Sequence, residues 1–462
     1  MMRKYNKYDE YKDSGVEWIG EIPVDWRQSK YKYYYYSSMG NTILKEDLIV
    51  DGSIPIYSAT ESDNIFGYVN NANVILNKND FVIPARGNSI GNVTLVADEK
   101  ATCTQTTIYS KKVNNINSKY IYYFLDGLKN YLFNFTRTAI PQITVKQVSN
   151  NDILVPPKKE QQKIASFLDQ KTAEINEIIN KKESLIDYLE KYKKSVITEA
   201  VTKGKLGNKY INADGELVDE IEMTASGVEW IGEIPEYWYV NRIKFNNLIN
   251  PNKTEINYKD MEVSFVPMEY IKDGVIEDQD SKNLDEVYDG YSYFTEQDIL
   301  LAKVTPCFEN NNIGIASGLK NGIGFGTTEV HVIRALDDFN RYIFYLFQSK
   351  YFKSKGKSVM YGAGGLKRVP TDFVENYFYG RPEYKIQKMI SNHLDEKINQ
   401  IYNLIQKTKK SIEKYKEYKK ALIFEAVTGK IDLRDYELEG GEELAEHNNS
   451  SETERERISA VD

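Results

Sequence analysis

A stretch of about forty residues occurs twice in this chain at a constant offset of 226, and no other feature restricts the fold so strongly. The first copy, within Pro156 to Leu206, carries Gln161, Ile164, Leu168, Asp169, Lys171, Ile175, then Tyr192-Lys193-Lys194, Ile197 and Glu199-Ala200-Val201-Thr202. The second, within Pro382 to Ile431, carries Gln387, Ile390, Leu394, Asp395, Lys397, Ile401, Tyr418-Lys419-Lys420, Ile423 and Glu425-Ala426-Val427-Thr428. Identity held at a fixed spacing over such a length marks a duplicated unit. The chain is two copies of one module.

The apolar period within the repeat predicts its structure. A three-four alternation runs through Ile164, Leu168, Ile175, Ile178, Leu185, Leu189 and Tyr192, and again through Ile390, Leu394, Ile401, Leu404, Tyr415, Tyr418 and Leu422. That is the seam of a coiled coil, flanked by Ile179, Ile186, Ile398, Ile405 and Ile412. Polar residues interrupt both seams at the same heights, Lys171 with Lys397 and Lys182 with Thr408, a device that sets register and partner. A continuous helix from Lys158 to Ala200 would be about 65 Å long, which suits a spacer or docking arm. Its Lys- and Glu-dense outer faces read as solvated surface.

A ten-residue phrase, Ser14-Gly-Val-Glu-Trp18-Ile-Gly-Glu-Ile-Pro23, followed by Trp26, returns as Ser226 to Pro235, followed by Trp238. Its Gly and Pro punctuation and paired tryptophans predict a packed turn heading each module. Short apolar runs at Leu48–Tyr57, Asn73–Ile83, Asn92–Val96 and Thr104–Tyr109 predict strands, followed by a helix over Lys119–Phe135 and an extended piece at Ile140–Val145. Between Trp238 and Tyr379 the order of elements repeats while most of the sequence does not. Asp80-Phe-Val-Ile-Pro-Ala-Arg86 answers Asp298-Ile-Leu-Leu-Ala-Lys303, Thr106-Thr107 answers Thr327-Thr328, and Tyr122-Tyr-Phe-Leu answers Phe344-Tyr-Leu-Phe. The frame is kept and the loops diverge, as expected of a device presenting two different recognition surfaces. The segments are 1–155 and 207–380 as β-rich domains, 156–206 and 381–431 as long helices, and 432–462 as a tail.

Composition narrows the class. Two cysteines and three histidines cannot build a disulfide framework or a repeated zinc site, which points to a reducing cytoplasm. No stretch has the apolar core of a signal peptide or a membrane span, so a soluble cytoplasmic protein is expected. The formal charge of −8 is concentrated in the tail, where nine acids stand against Arg455 and Arg457 after Tyr436, a composition expected to be disordered. Charge therefore neither favours nor opposes binding to DNA. There is no Gly-x4-Gly-Lys-Ser/Thr phosphate loop, and Val155-Pro156-Pro157-Lys158 lacks the polar head and aromatic stacker of an adenine methyltransferase tetrad. Gly362 to Gly365 and Asn321 to Gly326 read as turns. No active site and no metal site is expected.

The order of domain, helix, domain, helix resembles the specificity (S) subunit of type I restriction-modification systems. The resemblance rests on Gly-Val-Glu-Trp-Ile-Gly-Glu-Ile-Pro at both heads, on Pro156-Pro157-Lys-Lys-Glu-Gln161-Gln162 opening the first helix, and on Glu-Ala-Val-Thr at both helix ends. Arg381-Pro382-Glu-Tyr-Lys-Ile-Gln387 departs from that pattern at the start of the second helix. The resemblance implies an α+β fold: two β-rich target recognition domains in a pseudo-two-fold arrangement, joined by two long antiparallel coiled-coil helices. It implies a non-catalytic subunit that binds double-stranded DNA. Each domain would read half of a bipartite site, while the helices set the spacing and dock two methyltransferase subunits, with two restriction subunits joining in a cleaving complex. S-adenosylmethionine would belong to the methyltransferase, and ATP and Mg to a restriction subunit. A duplicated scaffold that binds proteins through its coiled coil is the alternative.

Loop residues able to read base edges or hold phosphates are candidates for DNA contact. In the first domain these are Arg86, Asn88, Ser89, Gln105, Arg137, Gln142 and Lys146; in the second, Lys303, Asn310, Asn311, Asn312, Tyr361, Lys367 and Arg368.

Overall fold

A computed structural model describes residues 5–437 apart from 60–64, 88, 134–141, 254–260, 273, 277–279 and 364. The chain forms two compact units, Met1–Lys182 with Lys410–Asp462, and Glu183–Lys409. Each holds one β-rich domain and segments of both long helices.

The first unit opens with a hairpin, Tyr11–Asp13 against Glu21–Pro23, that carries the head phrase. Its main sheet is antiparallel with four strands, β1 (Tyr35–Met39), β2 (Phe81–Pro84), β3 (Thr94–Leu95) and β4 (Thr107–Lys112), in the order β1-β4-β2-β3. All four β2 residues are buried, as a continuous apolar run in a central strand must be. The chain turns into β2 through Asn79 at φ 73°, and the buried Asp80 carboxylate accepts from the backbone of Asn77 (2.8 Å) and Lys112 (3.0 Å). This turn breaks the strand expected over Asn73–Ile83: its C-terminal end pairs as β2, while Leu76 before the turn forms an isolated bridge with Ala101. A second sheet joins Ile54–Tyr57, Ile65–Val69 and Thr102–Cys103.

The second unit repeats the main sheet as β5 (Asn247–Ile249), β6 (Ile299–Ala302), β7 (Ile313–Ile315) and β8 (Val330–Ala335), in the equivalent order β5-β8-β6-β7. The buried Asp298 takes the place of Asp80, here held by Arg334 at 2.7 Å as well as by the turn. The subsidiary sheet is where the halves part: Glu262–Val266, Asp280–Asn283, Ser292–Thr295 and Ile323–Gly326 replace the three short strands of the first unit.

In both units the strand leading into the domain pairs with the strand leading out, Arg27–Lys30 with Asp152–Val155 and Tyr239–Arg242 with Phe378–Arg381. The outgoing strand feeds directly into a long helix, α1 (Lys158–Lys203) or α2 (Tyr384–Val427). The two helices begin at equivalent residues, so the departure at Arg381-Pro382 does not shift the start of α2. Val145 begins a short helix, Val145–Asn150, where an extended piece was expected; Thr144 and Gln147 form its capping box.

The repeated words tie helix to domain. In the first unit the wholly buried Tyr120 hydroxyl donates to Leu154 O (3.0 Å) and to Val427 O (3.3 Å), which lies in the Glu-Ala-Val-Thr end of α2. In the second, Tyr342 donates to Gly380 O and to Val201 O, both 2.9 Å, at the same word in α1. Gln161 accepts from Asn117 N (2.8 Å) and donates to Pro156 O (2.8 Å), while Gln387 accepts from Phe339 N (2.7 Å) and donates to Pro382 O (3.0 Å). Tyr123 reaches Asp169 at 2.8 Å and Tyr345 reaches Asp395 at 2.5 Å. The repeated words thus supply the same docking bonds in both units.

The head tryptophans are packing anchors that differ in one respect. Trp26, fully buried, donates its indole N–H to Glu160 at 2.8 Å, and Tyr8 donates to the same oxygen at 3.0 Å. The residue equivalent to Glu160 in the repeat is Ile386, and the buried Trp238 indole has no hydrogen-bond partner among the described residues.

Within the first unit, Lys419 bonds Asn176 (2.9 Å) and Lys182 lies over the Tyr415 ring (5.7 Å), which fixes the two helix segments there as antiparallel. Within the second, Leu189 packs with Ile401 and Ile405, flanked by Ile186, Tyr192 and Ile398. Of the seam residues, Ile164, Leu168, Ile175, Leu189, Ile390, Leu394, Ile401 and Leu422 are buried, and Ile178, Tyr192, Tyr415 and Tyr418 are half-buried. Leu185 and Leu404 are exposed at 40% and 45%, and Ile179, Ile405 and Ile412 are buried beside them. A helix of 3.6 residues per turn drifts about 20° per heptad from a 3.5 repeat, so the covered stripe moves onto the flanking isoleucines.

Candidate nucleic-acid interface

The loop ends of the main sheets gather the candidate residues. In the second unit, β6 runs into a loop over Lys303 to Asn312, and a hairpin from Tyr361 to Arg368 lies against it. Tyr361 and Arg368 exchange backbone bonds (2.8 and 3.2 Å), Thr305 N donates to Lys367 O (2.9 Å) and Val369 N to Lys303 O (2.8 Å). The Thr305 hydroxyl donates to Gly365 O at 2.7 Å. Gly362, at φ 142°, lies where a Cβ would meet Leu366 O at 2.2 Å, so only glycine fits this tight hairpin. Lys303, Tyr361, Lys367 and Arg368 are thereby brought to one edge. Tyr361 is exposed at 64%.

One member of that group is held by a residue the sequence reading did not single out. Arg368 grips Glu329 through its Nε–Nη2 edge, Nε to Oε2 at 2.8 Å and to Oε1 at 3.2 Å, and Nη2 to Oε1 at 2.7 Å. These bonds hold the Glu329 carboxyl below the usual carboxylate range. Glu329 precedes β8, 39 residues from Arg368, and no local spacing joins them. Beneath them His331 is buried, its Nε2 donating to Val369 O at 3.0 Å, and burial pushes the imidazole down to about 4.

Asn310 is exposed on the loop after β6, Asn312 is half-buried, and the Asn311 amide donates to Gln348 at 2.9 Å. Lys353 anchors the loop from behind by donating to Phe308 O at 2.8 Å, and burial pushes its ammonium down to about 7.

In the first unit Ala85, following β2, donates to Thr106 O (2.9 Å) and accepts from Ile143 N (3.0 Å). This brings together the exposed Arg86, Gln105 and Gln142, with Lys146 exposed on the adjoining helix. Ser89 turns inward: it is buried, and its hydroxyl donates to Ala59 O at 2.9 Å. Asn88 and Arg137 lie outside the described residues.

Among the described residues, no group of three or more His, Cys, Asp or Glu is placed to hold a metal ion, and no helix is long and apolar enough to cross a membrane. The family profile described as the type I restriction modification DNA specificity domain matches residues 23–188. Over that part of its length the chain is similar to type I specificity subunits. It is 45% identical over 150 residues to the EcoEI specificity subunit of Escherichia coli; the match takes in 31% of this chain and spans about a quarter, 25%, of that relative's length. A longer match joins it to the MjaVIII specificity subunit of Methanocaldococcus jannaschii, 25% identical over 442 residues, 89% of this chain and 94% of the relative. A solved chain from a study of complex assembly and conformational transition of the type I R-M system shares the fold, with a TM-score of 0.66 at 12% identity over 88% of this chain and 98% of the other. Within the chain, the frame contacts recur in both units and the residues at the loop ends differ.

Proposed function

We propose that the chain is the DNA sequence-specificity subunit of a type I restriction-modification complex. Each β-rich domain reads one half of a bipartite site, the long helices set the distance between half-sites, and the helix surfaces dock two methyltransferase subunits. Domains 1–155 and 207–380 are the readers and the helices within 156–206 and 381–431 the spacer. The observation that carries this reading is the division of labour in the duplication. Tyr120 and Tyr342, Gln161 and Gln387, and Asp169 and Asp395 make the same contacts in both units, whereas the loop ends carry different polar groups. A frame duplicated to hold two different surfaces is what reading two different words requires.

The docking role rests on apolar surface left uncovered in the second unit. Leu185, Tyr188, Tyr402 and Leu404 are exposed at 40 to 63% on the middle turns of the helices, where a partner helix would cover them. Methyl transfer uses S-adenosylmethionine held by the methyltransferase, and cleavage uses ATP and Mg in two restriction subunits, so this chain performs no chemistry itself. The test is DNA binding by the chain assembled with its methyltransferase, titrated with salt. Specific binding that falls steeply as salt rises is expected. A complex that assembles on the helices yet binds no duplex would overturn the DNA reading in favour of a protein scaffold.

A further inference from the structure

The two domains place one variable residue at the same backbone position, and the residue beside it varies with it. Val369 N donates to Lys303 O and Lys303 N to Glu329 O (2.8 and 2.9 Å); Ile143 N donates to Ala85 O and Ala85 N to Thr106 O (3.0 and 2.9 Å). Lys303 follows β6 as Ala85 follows β2, and Glu329 precedes β8 as Thr106 precedes β4. A short helix follows in each, Val145–Asn150 and Thr371–Asn376. Gln142 and Arg368 are therefore structural equivalents, as are Thr106 and Glu329; strand register thus corrects the sequence match of Thr106-Thr107 to Thr327-Thr328 by two residues. Where the outer residue is Arg, the inner one is a carboxylate that grips it; where it is Gln, the inner one is Thr, whose hydroxyl turns to Thr104 at 2.8 Å.

We propose that this position determines specificity in both domains, Arg368 reading a guanine in one half-site with Glu329 as its positioning residue, and Gln142 reading an adenine in the other. The proposal rests on the specificity-subunit reading above and names the groups that carry it out. The Glu329 carboxylate takes the Nε edge and one side of Nη2, so the edge formed by Nη1 and Nη2 stays uncommitted among the described residues. That edge has the two parallel donors that match guanine O6 and N7, and a glutamine amide has the donor and acceptor that match adenine N6 and N7. A bidentate carboxylate partner also neutralises the arginine. An arginine kept for phosphate gains from a net positive charge; one whose charge is balanced by a fixed carboxylate and whose direction is set by it suits a base edge. Lys303 and Lys367 stand beside it, placed for the phosphate backbone of the same duplex.

The test is methylation-sensitive sequencing of DNA from cells carrying the chain and its methyltransferase. Arg368→Gln is expected to lower the preference for one guanine in one half-site on the order of ten- to a hundred-fold, leaving the other half-site and the spacing intact. Arg368→Lys, which keeps charge without the fork, does not restore it. Glu329→Gln weakens the same single preference and leaves the word of the other half-site unaltered. Gln142→Arg with Thr106→Glu shifts one position of the other half-site from adenine toward guanine. A purely structural ion pair would lower methylation at every site without altering the motif, and that result overturns the assignment. If Arg368→Gln abolishes methylation, Glu329→Gln decides, and an unaltered motif in that variant also overturns it. If the unsubstituted chain directs no split motif, the specificity-subunit reading falls and the assignment with it; if it does and these variants leave the motif unchanged, the assignment alone falls.

Discussion

His331 shows how a buried residue of the frame supports the exposed site. Its Nε2 hydrogen is committed to Val369 O, next to Arg368, and burial holds the ring neutral with its pKa down at about 4. The unfolded chain takes up this proton near pH 6.5, so the contribution to stability is full above that value and declines as pH falls toward about 4. Between pH 7 and 5 the loss is about 2 kcal/mol. Chemical denaturation at the two pH values is expected to show it, and His331→Leu to abolish most of the difference while lowering stability at pH 7 through the lost bond to Val369. A variant as pH-sensitive as the parent would contradict the account. The neighbouring pair of Arg368 and Glu329 was only half legible in the sequence. An arginine after a Gly-rich turn stands out, but its partner is set by strand pairing across 39 residues. The burial of Ser89 was illegible for the converse reason: a short polar residue in a turn reads as solvated until its hydroxyl is found inside on Ala59 O.

At the scale of elements, the long helices were the most legible part, because a period of three and four sustained over about eight turns has few other readings. Which seam residues stay covered was not legible, since that depends on how far two straight helices follow a heptad pattern. The difference is measurable. Leu189→Ala, in a closed cluster with Ile401 and Ile405, is expected to cost about 2–4 kcal/mol. Leu185→Ala, one heptad position away and exposed at 40%, is expected to cost less than about 1 kcal/mol. Equal losses by thermal unfolding would show that the seam is continuous after all. The helix ends give a second prediction. Tyr342→Phe removes a buried hydroxyl from the carbonyls of Val201 and Gly380, and Tyr120→Phe removes the matching one from Leu154 and Val427. Each is expected to lower stability by about 1–2 kcal/mol. No change in the denaturation midpoint of either would mean that the repeated Glu-Ala-Val-Thr words are kept for another reason. Those words were visible in the sequence as identity; their purpose as acceptors for a buried tyrosine needed the fold.

For the whole molecule, the duplication already implied two modules of one kind, while the strand-rich domains showed their order more clearly than their limits. Asn and Asp turns such as Asn77 to Asp80 cut strands shorter than the apolar runs that contain them. The functional account depends on the chain bringing two different readers to one DNA duplex. The measurement that tests it most directly is methylation-sensitive sequencing of DNA from cells that carry the chain with its methyltransferase and from cells that lack only the chain. The account predicts a modified-base motif, present only with the chain, made of two short words separated by a fixed run of unread bases. An active methyltransferase whose motifs do not depend on the chain would contradict it.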